Sequence, residues 1–395
     1  MNKNLKIGYF LAFVNELYLP VAIWILFFLR YLDFTHVAIL GALSTISSNL
    51  FEIPTGAISD LIGRKWTLFL SYIISTTGLL VIATGNVFLV FAIGRIINGL
   101  GTSLFSGTHE SLMYDTLKSE GKETSYDGVA AKVQTLMWVG LFVAAVTGGF
   151  IYDVWPAGPY LITAAFYIIA ALSCLFIDEP RIDSEKFNFR NYMKQNLRGF
   201  SELFQNERTV RISLLLTTVG AGYFFALRLL GPSQAVQYGL TGKGIGLLFG
   251  TGYIIAALAS HFYPSLRKRF GNSKLLILAS AALLTSFIFA PFVGIALGSG
   301  LILLRISSST TFRNAQSVIV NKFIDSKNRA TALSTLALLS EIPFTLTFYF
   351  VGDYIDKNSP NSFALLLGGI LIILIVPQVF FGRKYLFGKN SKQTC

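Results

Sequence analysis

Charged residues are scarce in this chain of 395 residues: they make up 13% of it, whereas hydrophobic residues make up 53%. Soluble globular domains carry about 25% charged residues, so the composition excludes an ordinary soluble domain and indicates a lipid environment. Only two cysteines and three histidines are present, too few for a disulfide framework or a zinc centre. The sequence also lacks a P-loop motif, which excludes ATP hydrolysis by this chain as a direct energy source. We therefore predict no enzyme, no cofactor and no metal site.

Long apolar runs fill most of the chain instead. A transmembrane helix needs about 20 predominantly apolar residues, and twelve runs approach this length. The sequence therefore predicts an all-α polytopic membrane protein with twelve transmembrane helices. The runs are residues 7–30, 36–57, 66–84, 87–114, 129–152, 158–177, 208–236, 244–264, 274–293, 297–321, 330–352 and 360–383.

Basic residues are distributed unevenly among the connections between these runs. Alternate connections are rich in lysine and arginine, whereas the opposite ones hold almost none beyond Lys243 and Lys357. Membrane proteins keep their positively charged loops in the cytoplasm. We therefore expect a multi-pass protein of the cytoplasmic (inner) membrane with both termini in the cytoplasm. The same pattern explains the net charge of +12 without a nucleic-acid partner.

The two halves of the chain repeat one another weakly in the same direction. Parallel repeats of this kind place a substrate site near the membrane midplane, between the halves. We expect two pseudo-symmetric six-helix bundles, an N-terminal one over residues 1–180 and a C-terminal one over residues 208–395. The matching pairs are Phe34-Thr35 with Leu240-Thr241, Arg95 with Arg305, and Gly149-x-x-x-Asp153 with Gly352-x-x-x-Asp356.

The longest connection, residues 181–207, separates the two predicted bundles. Its apolar side chains recur at helical spacing among lysines and arginines, which is typical of an amphipathic helix on the inner membrane surface. A solvated tether is the alternative. The apolar positions are Phe189, Tyr192, Met193, Leu197, Phe200, Leu203 and Phe204.

A compact cluster of glycines and charges follows the second apolar run. It reads Gly56-x-x-x-Asp60-x-x-Gly63-Arg64-Lys65. This stretch resembles the signature loop between the second and third helices of the major facilitator superfamily. The resemblance implies a gate on the cytoplasmic side, with Asp60 facing the eleventh helix and Arg64 reaching Asp115 at the end of the fourth. Glu52, about two helical turns before Asp60, is assigned to the same gating region.

Two further stretches resemble motifs of this superfamily. Residues 95–101, Arg-Ile-Ile-Asn-Gly-Leu-Gly, look like its fourth-helix motif, in which the arginine is associated with proton coupling. The fifth span matches the outer glycines of the antiporter motif at Gly140, Gly148 and Gly149, but has Ala144-Ala145 where that motif has Gly-Pro. The resemblance is closest to the twelve-helix drug:proton antiporters. It implies alternating access by a monomer that uses the proton gradient to move a small organic molecule.

Glu16 is the sharpest single candidate, because it lies near the middle of the first predicted span. Ionisable groups within spans are costly and are functional candidates by default. A carboxylate there suits proton uptake or pairing with a cationic substrate. The structural alternative is a hydrogen bond to Asn15 or Tyr18 that serves only to hold helices together.

Four residues of the fourth span form the candidate coupling set: Arg95, His109, Glu110 and Asp115. Glu110 and Asp115 correspond to Gln316 and Asn321 in the second half, so the scaffold tolerates amides there and the acids are available for function. Histidine titrates in the physiological range. The alternatives are a structural histidine and an arginine bonded to helix carbonyls.

The second half contributes Arg228, Arg313 and Glu341 to the substrate or proton site. Arg313 and Glu341 lie at similar depth in adjacent spans, so we predict a buried ion pair between them. Such pairs are costly to desolvate, and a pair that breaks and re-forms suits a switch; a permanent bridge is the alternative. Arg228 suits an anionic substrate group or Glu16.

Two functional alternatives to proton-coupled efflux of a drug or metabolite remain open. The first is uptake of a nutrient or organic anion by symport or facilitated diffusion, in which Arg228 and Arg313 serve an anionic solute. The second is a membrane receptor or scaffold that transports nothing, whose mark is a sealed interface between the two halves without a solvent cavity.

Overall fold

The computed structural model describes residues 2–180, 200–324 and 329–387, without the side chains of residues 53–57, 60, 330, 386 and 387. Within these ranges every regular element is a helix, which confirms the predicted all-α class. In chain order the α-helices are α1 Lys3–Glu16, α2 Trp24–Phe28, α3 Phe34–Ile62, α4 Arg64–Thr84, α5 Phe88–Ser119, α6 Tyr126–Val154, α7 Gly158–Cys174, α8 Glu207–Phe225, α9 Gly231–Gln237, α10 Gly242–Phe270, α11 Asn272–Ile288, α12 Ile295–Val320, α13 Arg329–Lys357 and α14 Pro360–Phe387.

Nine helices in the described ranges are long and apolar enough to cross a membrane. α7 and α11 are apolar as well, but each has only 17 residues, which corresponds to about 25 Å. The first predicted span is not one continuous helix. It is divided into α1, a 3₁₀ turn at Leu19–Val21 and α2, because Pro20 has no N–H to continue the helical hydrogen bonding.

The predicted amphipathic helix lies largely outside the described residues, which resume at residue 200. Of its apolar positions, Leu203 is buried, whereas Phe200 and Phe204 are exposed. The two phenylalanine rings lie 4.9 Å apart. The capping box formed by Asn206 and Thr209 then begins α8.

The chain divides into two compact units. The first comprises the described part of residues 1–188, Gly239–Ile254, which includes the beginning of α10, and Phe348–Asp356 near the end of α13. In it α4 and α5 approach closely through small residues, as membrane helices do: a Cβ atom on Gly101 would lie 2.7 Å from the Ser75 nitrogen, and Ser71 donates a hydrogen bond of 2.8 Å to the Gly101 carbonyl. Gly101 therefore serves the close packing of these two helices.

The second unit comprises the described parts of Phe189–Tyr238, Ile255–Thr347 and Lys357–Cys395. A π-helical turn at Ala226–Leu230 joins α8 to α9. Arg305 of α12, which is 1% exposed, ties the unit together. Its Nε donates to the Ser286 hydroxyl at 3.0 Å and its Nη1 to Gln234 Oε1 at 2.7 Å.

Candidate functional site

The first unit contains a cavity of about 410 Å³ between α1, α5 and α6. Most of its wall is apolar, but it carries two carboxylates, an imidazole and several neutral polar groups. Three of the predicted site residues therefore line one space. The principal polar lining residues are Asn15, Glu16, His109, Glu110, Tyr126 and Gln134.

Glu16 is the last residue of α1, where the helix is interrupted. Its Oε1 accepts a hydrogen bond of 3.1 Å from Asn15 Nδ2, the contact foreseen in the structural interpretation. The Tyr167 hydroxyl donates to the Asn15 carbonyl at 3.0 Å and fixes this helix end against α7. Broken helix ends are typical cation and proton sites in transporters. The half-buried Glu16 side chain occupies such a position on the cavity wall.

Gly140 brings α6 close to the interruption after α1. A Cβ atom at this position would lie 2.7 Å from the Phe13 carbonyl oxygen. Ala144 and Ala145, which stand in place of the antiporter Gly-Pro, are fully buried in the same helix. The outer glycine of the partial antiporter motif therefore serves helix packing beside Glu16.

His109 and Glu110 occupy contrasting environments on α5. His109 is buried, its ring is stacked on Phe105 at 5.0 Å, and its Nε2 lies 2.8 Å from the Gly8 carbonyl oxygen. Because a carbonyl only accepts, Nε2 carries the proton in this contact. The exposed Glu110 accepts a hydrogen bond of 3.1 Å from the Tyr126 hydroxyl. His109 thus fixes α5 to α1, and Glu110 is the accessible carboxylate of this helix.

The predicted contact between Arg64 and Asp115 is present. Arg64 Nε lies 3.2 Å from Asp115 Oδ2, and both side chains are 14% exposed. Neither residue lines either of the two cavities described in this section. The pair therefore joins the start of α4 to α5 away from the first cavity, and its gating role stays a prediction.

Glu179 supports this gating region and was not foreseen from the sequence. Its carboxylate accepts hydrogen bonds from the backbone nitrogens of Arg64 at 2.7 Å and Lys65 at 2.9 Å. These are N–H groups that a helix start leaves without internal partners. Gly63, with φ 88°, makes the turn that allows this approach.

The remaining predicted gating residues are placed only in part. Gly56 lies within α3, and the Asp60 side chain lies outside the described part of the structure, so the predicted approach of Asp60 to the eleventh helix stays a prediction. Glu52 is exposed on α3 and lines neither cavity. The Lys65 ammonium lies 5.8 Å from the centre of the Trp66 ring.

Arg95 is buried in an aromatic cluster rather than bonded to helix carbonyls. Its guanidinium carbon lies 4.8 Å from the Trp24 ring centre and 5.3 Å from that of Phe28. Within the described residues its Nε has no hydrogen-bond partner. It does not line the first cavity. Arg95 therefore lies apart from Glu16, held by cation–π contacts.

The second unit contains its own cavity, of about 400 Å³, between α8, α12 and α13. Arg228, Arg313 and Glu341 all line it, as does Gln316. Arg228 lies in the π-helical turn, a helix defect frequent at functional sites, with its guanidinium carbon 5.7 Å from the Phe224 ring centre. The structure thus brings together all three residues predicted for the second half.

The predicted ion pair between Arg313 and Glu341 is not formed. Both residues line the cavity, but Arg313 makes no ion pair or hydrogen bond with any residue that the structure describes. Its side chain is exposed in the cavity rather than packed between helices. Similar depth in neighbouring spans was therefore not sufficient to predict a contact across an open space.

The family model of the Major Facilitator Superfamily matches residues 5–347. The chain belongs to this superfamily. It is accordingly a multi-pass membrane protein and a transporter of the secondary kind, not an enzyme, as the sequence motifs implied.

Curated members of the superfamily include clear relatives of this chain. The tetracycline resistance protein, class C, of Escherichia coli is 23% identical over 362 residues, 87% of each chain. Multidrug resistance protein 1 of Bacillus subtilis (strain 168) is 24% identical over 286 residues, 71% of this chain and 70% of its own.

Solved structures share the superfamily fold. The crystal structure of the nucleoside transporter NupG has a TM-score of 0.79 at 16% identity, covering 98% of this chain and 100% of NupG. That of a bacterial homolog to the human lysosomal transporter Spinster, inward-facing and unoccupied, has a TM-score of 0.70 at 16% identity over 97% and 95% of the chains. At this identity the likeness shows the fold alone.

The charged lining residues of this superfamily member were predicted from the sequence, whereas Gln134 was not foreseen. Asn15 and Gln316 were named only as a partner of Glu16 and as the counterpart of Glu110, not as cavity residues. Asn15 and Gln134 of the first cavity and Gln316 of the second are amides in apolar helices. Amides carry no charge to mark them within a span. Proximity to a charged residue in the same span was the available signal: Asn15 adjoins Glu16, and Gln316 lies three residues after Arg313.

Proposed function

We propose that this protein exports a small organic compound in exchange for protons, acting as a monomer in the inner membrane. The single observation that carries the proposal is the Glu16 carboxylate at a broken helix end, in one cavity with the exposed Glu110. Carboxylates facing intramembrane cavities are typical proton sites of transporters. Alternating exposure of this cavity would exchange a proton for substrate.

The proton gradient supplies enough energy without a cofactor. One proton moving inward across 100 mV releases about 2.3 kcal/mol, which corresponds to a concentration ratio of about 50. Proton-coupled transport therefore requires only a group that binds a proton on one side of the membrane and releases it on the other. Glu16 fills this role, and Glu110, which lines the same cavity, modulates it.

Twelve spans are the arrangement that best accounts for the helices. The nine long helices, α7 and α11 together supply eleven crossings. The interrupted segment from α1 to α2 supplies the twelfth, and an even number agrees with both termini in the cytoplasm.

Export is favoured by two independent features. The relatives include proteins named for tetracycline and multidrug resistance, and the fifth span retains the outer glycines of the antiporter pattern. In this proposal the Arg64–Asp115 pair, with Asp60, closes the cytoplasmic side while the protein faces outward. Loss of the pair should then impair transport more than substrate binding.

Uptake of an organic anion is the second candidate, favoured by the two arginines of the second cavity. Arg228 and Arg313 provide two positive charges against the one negative charge of Glu341. The direction of proton movement separates the two candidates, because an importer by symport moves the proton with its solute.

Inverted membrane vesicles with an acid interior test the export proposal. Added substrate should dissipate the pH gradient, read as dequenching of a pH-sensitive dye, in a screen of antibiotics and aromatic metabolites. We expect Glu16→Gln to reduce this dissipation at least tenfold while substrate-induced thermal stabilisation persists. Glu123→Gln, at an exposed position outside the cavity, is the matched control.

Full dissipation by both Glu16→Gln and Glu341→Gln would refute this assignment of coupling. A substrate that accumulates with the proton, rather than against it, would favour uptake.

A further inference from the structure

Two arginines on α12 lie in contrasting environments. Arg305 donates to Gln234 and to both the hydroxyl and carbonyl oxygens of Ser286, so its charge is held within the protein. Arg313, eight residues later on the same helix, makes no hydrogen bond or ion pair with the residues that the structure describes. A guanidinium within a span needs a partner or a water-filled cavity, and Arg313 lines a cavity.

The charges around this second-unit cavity do not balance. Arg228 and Arg313 face Glu341, which leaves one formal positive charge. Guanidinium groups bind carboxylates and phosphates through two parallel hydrogen bonds. The excess charge therefore suits one anionic group, and Gln316 adds a neutral donor to the same wall.

The apolar part of the wall is aromatic and fixed. The Tyr223 and Phe312 rings lie 5.3 Å apart with planes inclined by 31°. The Tyr223 hydroxyl donates to the Ala279 carbonyl at 2.7 Å, which leaves the ring rather than the hydroxyl as its contribution to the cavity. Flat rings stack favourably against such side chains.

We propose that this cavity binds a soluble aromatic monoanion, with Arg313 contacting the anionic group and Tyr223 and Phe312 contacting the ring. The proposal rests on the function proposed above and names the chemical class of its substrate. A space of about 400 Å³ falls within the range of small-molecule sites, about 300–1,000 Å³.

Binding to the purified full-length protein in a neutral detergent and low-chloride buffer tests this inference. Benzoate is the probe, and benzamide and benzylamine supply the same ring with no charge or a positive charge. We expect saturable stabilisation by benzoate alone in thermal-shift and calorimetric titrations. Arg313→Gln should weaken benzoate binding by roughly tenfold or more, since hydrogen bonds to charged groups contribute about 1.5–3 kcal/mol, and Arg313→Lys should retain part of it.

Glu341→Gln should change the affinity for benzoate in the opposite direction from Arg313→Gln. Removal of the single negative charge should strengthen benzoate binding several-fold, an effect that general damage to the fold does not produce. Arg267→Gln, at the end of α10 and outside the cavity, is the control for loss of a positive charge. Unchanged benzoate affinity in folded Arg313→Gln, or equal binding of benzamide, would overturn the inference.

A phospholipid headgroup has the same anionic chemistry, and a second titration separates it from a soluble solute. Phosphatidylglycerol added to the detergent should not displace benzoate; displacement together with the absence of benzoate transport would assign the site to lipid and overturn the proposal. The anion site and the proposed antiport can be refuted independently. If a neutral or cationic compound is exported in a Glu16-dependent way and benzoate does not bind, only the anion site is refuted. If benzoate binds through Arg313 but no proton-driven transport occurs, only the antiport is refuted.

Discussion

A single glycine determines how the gating region turns between α3 and α4. Gly63 has φ 88°, a left-handed conformation that a side chain disfavours. A Cβ atom there would also lie 2.8 Å from the Glu179 carboxyl carbon. The residue therefore satisfies two requirements, the backbone turn and the space for the carboxylate that caps α4.

Gly271 allows these two requirements to be measured separately. It precedes α11 with φ 77°, and no atom of the residues that the structure describes lies within 4 Å of a Cβ built on it. We expect Gly271→Ala to lower the free energy of unfolding by about 1–2 kcal/mol through backbone strain alone. Gly63→Ala should lose about 1 kcal/mol more, because Glu179 must move and leave two backbone N–H groups without their acceptor. Thermal or denaturant unfolding in detergent measures both changes.

A double-mutant cycle provides the control for Gly63. If the additional loss arises through Glu179, then Glu179→Ala should destabilise the wild type and have little effect in the Gly63→Ala background. Equal losses in Gly63→Ala and Gly271→Ala would show that the capping contact contributes nothing to stability.

The positions of individual charges were predictable from the sequence, whereas the partners of Arg95 and Arg305 were not. Arg95 and Arg305 match in position, yet one lies against Trp24 and Phe28 and the other is hydrogen-bonded to Gln234 and Ser286. The groups that decide this difference are neutral and distant in sequence. Apolar patterning identifies the span and leaves the partner unspecified.

At the starts of α3 and α10, backbone N–H groups donate hydrogen bonds to carboxylates from distant parts of the chain. At the start of α3, Asp356 accepts from the Phe34 nitrogen at 2.9 Å and the Thr35 nitrogen at 2.8 Å, while Asp33 accepts from the His36 nitrogen at 2.8 Å. The first three N–H groups of this helix, which have no acceptor within it, are therefore all satisfied.

The start of α10 repeats this arrangement within the same compact unit. Asp153 accepts from the Gly242 nitrogen at 2.8 Å and the Lys243 nitrogen at 2.9 Å, and the Thr241 hydroxyl lies 3.4 Å from the Gly244 nitrogen. The repeat between Asp153 and Asp356 seen in the sequence is thus a repeat of helix caps. The structure also corrects the pairing of Phe34-Thr35 with Leu240-Thr241 made from the sequence. Thr241 caps α10 as Asp33 caps α3, so Thr241 corresponds to Asp33 and not to Thr35.

Removal of these carboxylates should loosen specific helix starts. We expect Asp153→Ala and Asp356→Ala each to cost about 0.5–2 kcal/mol of stability, with the Asn variants in between because an amide keeps one acceptor oxygen. Hydrogen exchange should accelerate at residues 242–243 in Asp153→Ala and at residues 34–35 in Asp356→Ala. Asp127→Ala, in the exposed first turn of α6, is the control. Unchanged exchange at both helix starts would contradict the capping role.

The overall architecture was the most predictable level. Apolar runs and alternating charge depend on the solvent, and a bilayer imposes the same length and polarity on every crossing. The interruption after Glu16 was not predicted, because residues 7–30 are apolar across it and Pro20 is tolerated in many membrane helices. A count of apolar residues therefore could not predict the interrupted helix end at Glu16, which carries the candidate site.

The interrupted segment also decides the topology of the whole chain. If the nine long helices of the described residues and the two shorter apolar ones all cross, they make eleven crossings, which would leave the two ends of the chain on opposite sides of the membrane. If the segment from α1 to α2 also crosses, the number is even and both ends lie in the cytoplasm, as the basic clusters predict.

Cysteine labelling tests this topology in a background without the natural thiols, Cys174→Ser and Cys395→Ser. Lys6→Cys and Lys384→Cys lie at exposed positions near the two ends, and Lys243→Cys reports the opposite side. We expect a membrane-impermeant maleimide to label positions 6 and 384 only in inverted vesicles and position 243 only in intact cells. Labelling of positions 6 and 384 from opposite sides would mean that the interrupted segment does not cross. Glu16 would then lie outside the membrane field, and no proton bound there could use the membrane potential to drive transport.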